Sequence, residues 1–221
     1  MHAGRRMRIP LFPLENVVLL PALVVPLHVF EPRYRQLTAA VLAGDRRIGM
    51  IAVRPEHAHE MAGNPPLYDV GCEGFVTEHR RLPDGRYHLL LQGTQRFRIL
   101  EELPPGNERL YRVAEAEVLP DAPGDPRRAH ALREQVIDLL VRISERTLAP
   151  GQAIDVEKLR ALETAHFANA VSQSVNLPTR EKQGLLEAPS IAERLEGLAA
   201  TLDFHLAWLG RPDAEAPESV H

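Results

Sequence analysis

The sequence predicts an α+β protein, with a β-rich half over residues 7–120 followed by an α-helical bundle over residues 125–210. In the first half, short apolar runs alternate with proline, glycine and turn residues, a pattern typical of a barrel or a folded sheet. In the second half, apolar residues recur at helical spacing. Between the two lies PDAPGDP at residues 120–126, which has the composition of a linker between domains.

The first strands and the first helix are predicted within residues 9–47. The prolines of this stretch lack a ladder donor, so they predict short bent strands wrapped on a core. At Pro32 the apolar period changes to a helical one, which predicts a helix that Gly44 ends. The prolines concerned are Pro10, Pro13, Pro21 and Pro26. The side chains predicted to be buried are those of Leu11, Phe12, Leu14, Val17, Val18, Leu19 and Leu20.

Strand patterns continue up to residue 119, around a polar loop at residues 54–66. Gly71 and Gly74 predict a bulge or a close approach of two backbones, because both lie inside an apolar run. Pro83-Asp84-Gly85 has the chemistry of a hairpin turn. Gly93 is predicted to join two separate strands. The predicted strands are residues 48–53, 70–76, 87–91, 97–100 and 112–119.

Helix-start signals divide the second half. Asp125 with Pro126 has the pattern of an N-cap followed by proline at the first helical position, and Ser190 with Glu193 forms a capping box. Asp155 is predicted to cap one helix that continues as far as Val171, and a short helix is predicted from Thr179. The ends, residues 1–6 and 211–221, are predicted to be disordered, with Met7 as an alternative translation start.

Composition excludes several functional classes. The net charge is −4, with 26 basic and 30 acidic side chains and no basic block, which disfavours phosphate-backbone binding. The single cysteine, Cys72, excludes an internal disulfide and suits a reducing cytoplasm. The longest apolar run is interrupted by Pro21, Pro26 and His28, so no segment is predicted to span a membrane.

The sequence contains no complete motif typical of a catalytic site. The sequence contains no GxxxxGK[ST] phosphate-binding loop, and its lysines, Lys158 and Lys182, are predicted on polar helix surfaces. A reactive thiol at Cys72, paired with His79 or His88, is an alternative to a small core residue, and core filling is favoured. His57, His59 and Glu60 supply too few ligands for a stable metal site and are interpreted as a solvated loop. We therefore predict no catalytic residue, metal or cofactor.

Two binding surfaces stay open. Pro26, Phe30, Glu31, Arg33 and Tyr34 gather apolar and charged groups where strand gives way to helix, which predicts a shelf for an apolar segment of another chain. The alternative is that Phe30 and Tyr34 pin the helix to the sheet, and this is favoured for Phe30. A nucleic-acid face is the second surface, opposed by several nearby glutamates. Its candidate residues are Arg96, Arg98, Arg109 and Arg112.

Ordered segments along the chain resemble the N-terminal domain of ATP-dependent Lon proteases. The segments are PLFPL at 10–14, NVVL at 16–19, PLHVFEPRY at 26–34, GDRR at 44–47, VGC at 70–72, DGRY at 84–87, LQG at 91–93, RFRI at 96–99, LP at 177–178, EKQ at 181–183, LLE at 185–187 and RL at 194–195. The resemblance implies a PUA-like pseudo-barrel followed by a helical bundle. The ATPase and the Ser/Lys peptidase of that family are placed in later domains, so this chain is expected to lack both.

The resemblance also implies a function. It predicts a stand-alone, non-catalytic module that recognises exposed or unfolded polypeptide segments, with a protease or a chaperone as a further partner and adaptor activity as one form of this role. A PUA-like protein that binds RNA or a small ligand is the alternative. Whether the protein forms a homo-oligomer is left open by the sequence, as is the identity of its substrate.

Overall fold

A computed structural model describes residues 5–106, 108–122, 124–149 and 152–209. These residues form two compact units. One comprises the described residues up to Asp121 together with Asn169–Glu187, and the other comprises Ala122–Ala168 and the described residues from Ala188 onwards. Strands and helices both contribute, so the predicted α+β class is confirmed.

The described residues contain six strands and six α-helices. The strands are β1 Arg6–Leu14, β2 Val24–Val29, β3 Arg47–Ala52, β4 Val70–Arg81, β5 Tyr87–Leu103 and β6 Val113–Val118. The helices are α1 Pro32–Leu42, α2 Pro126–Thr147, α3 Val156–Ala161, α4 Thr164–Ser174, α5 Thr179–Glu187 and α6 Ile191–Leu209. A 3₁₀ helix, Pro55–Glu60, lies in the predicted polar loop.

The sheet closes into a barrel of five strands with a sixth strand attached. Its order is β2-β5-β4-β3-β1-β6, and a further pairing of β5 with β6 completes the ring. All pairs are antiparallel except β1 with β3. β5 pairs with β2 through Tyr87–Gln92 and with β6 through Phe97–Leu103. β2 therefore lies beside the ring, and its second edge has no neighbouring strand among the described residues.

The prediction of two strands joined through Gly93 is wrong, because a single strand, β5, covers this stretch. It is one strand of 17 residues, and Gly93 lies inside it. A Cβ atom at Gly93 would lie 2.3 Å from the carbonyl oxygen of Leu20, so glycine permits a close approach of two backbones there.

β1 runs through both Pro10 and Pro13, so the prediction that these prolines separate short strands is wrong for them. Residues 6–10 pair with β6, whereas residues 11–14 pair with β3. Pairing thus changes from one edge of β1 to the other near Pro10, although Leu11 still donates to the carbonyl of Arg112 at 2.9 Å. A missing proline N–H is tolerated where the edge that it would face is unpaired.

The helix after β2 begins at Pro32 as predicted. It ends at Leu42, and the residue with left-handed backbone is Arg46 (φ 61°) instead of Gly44. The predicted core side chains before it are buried, except that Leu14 and Val17 are only half-buried.

The glycine predictions for β4 and the hairpin are confirmed. The register shifts between Glu73 and Gly74, and a Cβ atom at Gly71 would lie 2.5 Å from the carbonyl oxygen of Met50. Gly85 has φ +83°, which the hairpin turn requires and L-residues rarely adopt.

The predicted helix caps in the second half are present. Asp125 accepts a hydrogen bond from the N–H of Arg127, and Asp155 accepts one from the N–H of Lys158. The hydroxyl of Ser190 accepts from the N–H of Glu193 at 3.2 Å, as a capping box requires.

The single helix predicted after Asp155 is wrong, because two helices, α3 and α4, occupy that stretch. The carboxylate of Glu163 accepts hydrogen bonds from the N–H groups of Ala165 and His166 at the start of α4. The guanidinium of Arg133 donates to the carbonyls of Leu159, Arg160 and Leu162, each at 2.8 Å. These contacts satisfy the polar groups that the break between the helices exposes.

The prediction of disordered ends is wrong for Arg5 and Arg6. Arg6 belongs to β1, and the carbonyl of Arg5 accepts a hydrogen bond from Val118 at 2.9 Å. Residues 1–4 and 211–221 lie outside the described residues. The division into domains over residues 7–120 and 125–210 stays a prediction.

Limited proteolysis tests that division. We expect a non-specific protease such as subtilisin to cut first within residues 120–126 or 54–66, because both segments are rich in proline and glycine and lie between regular elements. Because Gln183 donates to the carbonyl of Val70 and Leu186 lies in the barrel core, the fragments should co-elute in native gel filtration after cleavage at 120–126. Early cuts inside β5 or α6, mapped by mass spectrometry, would contradict the prediction.

Candidate functional site

The five residues of the predicted shelf lie at the end of β2 and at the start of α1, but their side chains do not share one surface. Pro26 is exposed on β2, and Phe30 follows that strand with 59% of its surface exposed. Tyr34, in contrast, is only 4% exposed. The expectation that Phe30 pins the helix to the sheet is therefore wrong, and Tyr34 does so instead.

Tyr34 is anchored to β1 through its ring and its hydroxyl. The ring stacks on Phe12 with 4.2 Å between centroids, and the hydroxyl donates to the carbonyl of Pro13 at 3.3 Å. Burial raises the pKa of Tyr34 to about 12, although the neighbouring Arg33 opposes the shift. Tyr34 is thus a core residue that fixes α1 against the barrel.

Arg33 and Glu31 hold the loop that follows the 3₁₀ helix. The Nε of Arg33 donates to the Glu31 carboxylate at 2.9 Å, and its terminal nitrogens donate to the carbonyls of Gly63 and Met61. Its guanidinium also lies over the Tyr34 ring, 4.6 Å from the centroid. Arg33 therefore uses its donors within the protein, and its main role is to position this loop.

An exposed apolar surface remains on β2. Val24, Pro26 and His28 alternate along the outer side of the strand, and Phe30 continues the series. We call these four residues the β2 face. The alternating residues of VVPLHVF were the sequence signal for this surface, and sequence reasoning identified only Pro26 and Phe30 of the four.

The β2 face borders an open groove of about 560 Å³ that extends over β5 and β4. Opposite Pro26 and His28 lie Leu90 and His88 of β5, and the His28 and His88 rings are 5.0 Å apart. The charged residues Glu78 and Arg80 line the far side, on β4. The groove is thus lined partly by apolar side chains and partly by histidines and charged groups.

The cysteine and the two lysines, considered above as reactive groups, contact other groups of the protein. Cys72 is fully buried in the barrel core. Lys182 was expected on a polar surface, but it is partly buried, its Nζ donates to the carbonyl of Gln173 at 3.1 Å, and burial lowers its pKa. Lys158 is exposed and pairs with Asp155 at 3.1 Å.

In the polar loop, the side chains of His57 and Glu60 form a hydrogen-bonded pair. His57 Nδ1 lies 2.8 Å from the Glu60 carboxylate, and this hydrogen bond lowers the pKa of Glu60. Within the described residues, no group of three or more His, Cys, Asp or Glu side chains is placed to hold a metal ion. The described helices likewise include none that combines the length and hydrophobicity needed to cross a membrane.

Three of the four arginines of the predicted nucleic-acid face are bonded inside the protein. Arg96 is buried and donates to the carbonyls of Leu186 and Pro120. Arg109 donates to Leu103 and Pro104, and Arg112 donates to Glu102 and Pro65. The fourth, Arg98, is exposed. This arrangement does not form a row of arginines directed at solvent.

Comparisons with known proteins agree on one family. Residues 8–203 match the family model described as "ATP-dependent protease La (LON) substrate-binding domain". The Lon protease of Escherichia coli is 29% identical over 207 residues, which cover 92% of this chain and 25% of that protein. Lon protease 2 of Thermus thermophilus is 28% identical over 200 residues, covering 90% of this chain and 24% of that protein. The chain thus spans about a quarter of the length of these relatives.

Solved structures show the same fold. A Lon N-terminal domain protein from Xanthomonas campestris superposes with a TM-score of 0.61 at 25% identity, covering 88% of this chain and 98% of that one. The N-terminal domain of a Lon protease from Mycobacterium avium complex gives a TM-score of 0.68 at 20% identity, covering 90% of this chain and all of that one.

Proposed function

The chain belongs to the family of ATP-dependent protease La (LON) substrate-binding domains, and from this membership we propose that it recognises exposed segments of non-native proteins. The family match concerns a binding domain and includes no catalytic domain. We further propose that this domain is itself non-catalytic, works in the cytoplasm, and presents its substrates to a protease or chaperone.

The observation that carries this proposal is the exposed β2 face. Val24 is 52% exposed and Phe30 is 59% exposed, on either side of Pro26 and His28, which line the groove over β5. Large apolar side chains grouped on a surface mark an interaction site more often than single exposed ones do. We therefore assign substrate contact to Val24, Pro26 and Phe30, and we assign support of the neighbouring loop and core to Glu31, Arg33 and Tyr34.

Binding at one such site is expected to be weak. Covering two or three apolar side chains gains about 3 to 9 kcal/mol, whereas association costs about 4 to 15 kcal/mol. A single module should therefore bind in the high micromolar range at best. Self-association, or a second partner that holds the same substrate, would raise the effective affinity.

Replacing Phe30 by alanine should weaken substrate binding about tenfold, because one of the largest exposed apolar side chains of the β2 face is lost. The melting temperature should stay within about 2 °C, since surface substitutions change stability little. Fluorescence anisotropy with fluorescein-labelled, reduced and carboxymethylated α-lactalbumin, which stays unfolded, measures the affinity.

Phe204→Ala is the matched control, because Phe204 is 71% exposed but lies on α6 in the other compact unit. It should bind the probe as the parent protein does. Equal affinity of the Phe30→Ala variant and the parent would place the binding surface elsewhere. Affinity purification with mass spectrometry would then separate protein substrates, a protease and RNA as partners.

A further inference from the structure

The free edge of β2 carries a row of unpaired main-chain groups. β2 pairs with β5 along one side, and no strand borders its other side in the part of the chain that the structure describes. Among the described residues, the main chain of Val24–Val29 forms hydrogen bonds with β5 alone. An edge of this kind is a template for another extended chain.

The pairing with β5 determines which groups face the free edge. The N–H of Gly93 donates to the carbonyl of Leu23 at 2.7 Å, so Leu23 directs its carbonyl toward β5. Main-chain direction alternates along an antiparallel strand, so Val25, Leu27 and Val29 also face β5. The carbonyls of Val24, Pro26 and His28 and the N–H groups of Val24 and His28 consequently face away from it.

β2 has few of the features that prevent an edge strand from pairing with another chain. Proteins protect exposed edges with charged side chains, bulges or proline. The sequence VVPLHV contains no charged residue, and its register with β5 has no shift. Pro26 removes one donor but leaves its carbonyl, so three acceptors and two donors remain along a span of five residues.

We propose that a protein substrate binds as an additional β-strand on the free edge of β2, with alternate side chains packed against the β2 face. This inference rests on the proposed function and specifies its binding mode. The occupant is an extended, uncharged and largely apolar segment of a non-native polypeptide. Only an extended main chain supplies donors and acceptors at the roughly 6.7 Å spacing of alternate strand residues. The absence of charge on β2 favours a neutral segment.

This mode explains how one site can accept many sequences. Main-chain hydrogen bonds are independent of side-chain identity, and the shallow apolar face adds only a preference for hydrophobic residues. Segments that contain proline should bind poorly, because proline cannot donate to the carbonyls of the edge.

Amide hydrogen exchange followed by NMR tests the proposal on the unaltered protein. Without substrate, the N–H groups of Val24 and His28 should exchange fast, whereas those of Val25, Leu27 and Val29 should be protected by β5. Saturation with carboxymethylated α-lactalbumin should slow exchange at Val24 and His28 at least tenfold. If the probe binds by anisotropy but these two amides exchange as before, strand addition is refuted while the proposed function stands.

Two further outcomes overturn the proposal. If the probe does not bind at all, the proposed function fails together with this inference. If Val24 and His28 become protected as protein concentration rises without probe, the occupant is a second copy of this chain instead of a substrate.

Proline substitution provides an independent measurement. Val24→Pro with His28→Pro removes both edge donors without removing a hydrogen bond to β5, and should weaken probe binding about tenfold or more. Val24→Thr with His28→Thr replaces the same two side chains but keeps both N–H groups in a strand-compatible residue, so the difference in affinity between the two double variants measures the contribution of the edge donors. If both double variants lose affinity equally, side chains carry the binding and the edge does not.

Discussion

Replacing Tyr34 by alanine is expected to lower the free energy of unfolding by about 3 to 5 kcal/mol, the range measured for large buried aromatic side chains. The substitution removes the ring that stacks on Phe12 and leaves a cavity between α1 and β1. Urea denaturation followed by circular dichroism measures the loss. A decrease below about 1 kcal/mol would show that α1 is not held by this residue.

Tyr34→Phe is the control, because it keeps the ring and loses only the hydrogen bond to Pro13. It should cost about 1 kcal/mol near neutral pH. The parent protein should also lose stability as the pH rises from 10 to 12, because the unfolded hydroxyl ionises near pH 10 while burial keeps the folded one protonated to about 12. That loss amounts to about 3 kcal/mol and should be absent from the Tyr34→Phe variant.

Because Tyr34 belongs to the core, the binding site is better tested at Phe30 than at Tyr34 or Arg33. Any variant that removes Tyr34 combines an effect on binding with partial unfolding, and a charge reversal at Arg33 would release the loop carbonyls that it holds. Phe30 is the suitable position, because its side chain makes no contribution to the core that would confound the affinity measurement.

Features that depend on local chemistry could be predicted from the sequence. The start of α1 at Pro32, the cap at Asp125 and the turn at Gly85 each require a particular backbone angle or hydrogen-bonding group. The alternation between strand-like and helix-like patterns likewise predicted the α+β class.

Features that depend on contacts between distant segments could not be predicted in this way. Pro10 and Pro13 interrupt a strand only if both of its edges are paired, and the changeover of β1 from β6 to β3 is a property of the closed barrel. The break between α3 and α4 is satisfied by Arg133, which lies on a different helix. No local rule reveals either arrangement.

The sequence identified two of the four residues of the β2 face, and the difference in burial between Tyr34 and Phe30 can be explained. Tyr34, Leu37 and Val41 share the apolar side of α1, so helical spacing already placed Tyr34 in the core. Phe30 precedes Pro32 and continues the alternation of Val24, Pro26 and His28. Attention to the period on each side of Pro32 would have separated the buried aromatic residue from the exposed one. The free edge of β2, in contrast, depends on the strand order of the sheet.

Replacing Arg96 by alanine is expected to destabilise the protein by about 2 to 4 kcal/mol, because the carbonyls of Leu186 and Pro120 lose a charged hydrogen-bond donor. Its guanidinium is 2% exposed, forms an ion pair with Asp121 at 2.7 Å and donates to the carbonyl of Leu186 at 2.8 Å. These contacts join β5 to the end of α5 and to the segment after β6. Arg98→Ala is the matched control, because Arg98 is exposed two residues along the same strand.

Urea denaturation should separate the two variants clearly, with Arg98→Ala within about 0.5 kcal/mol of the parent. The comparison also tests the nucleic-acid alternative at these positions. If arginines on β5 bound phosphate groups, both variants would stay folded and would reduce RNA affinity and its dependence on salt. Lower stability of Arg96→Ala, with no change in RNA binding for Arg98→Ala, is expected because Arg96 donates to two carbonyls and pairs with the Asp121 carboxylate of the same protein.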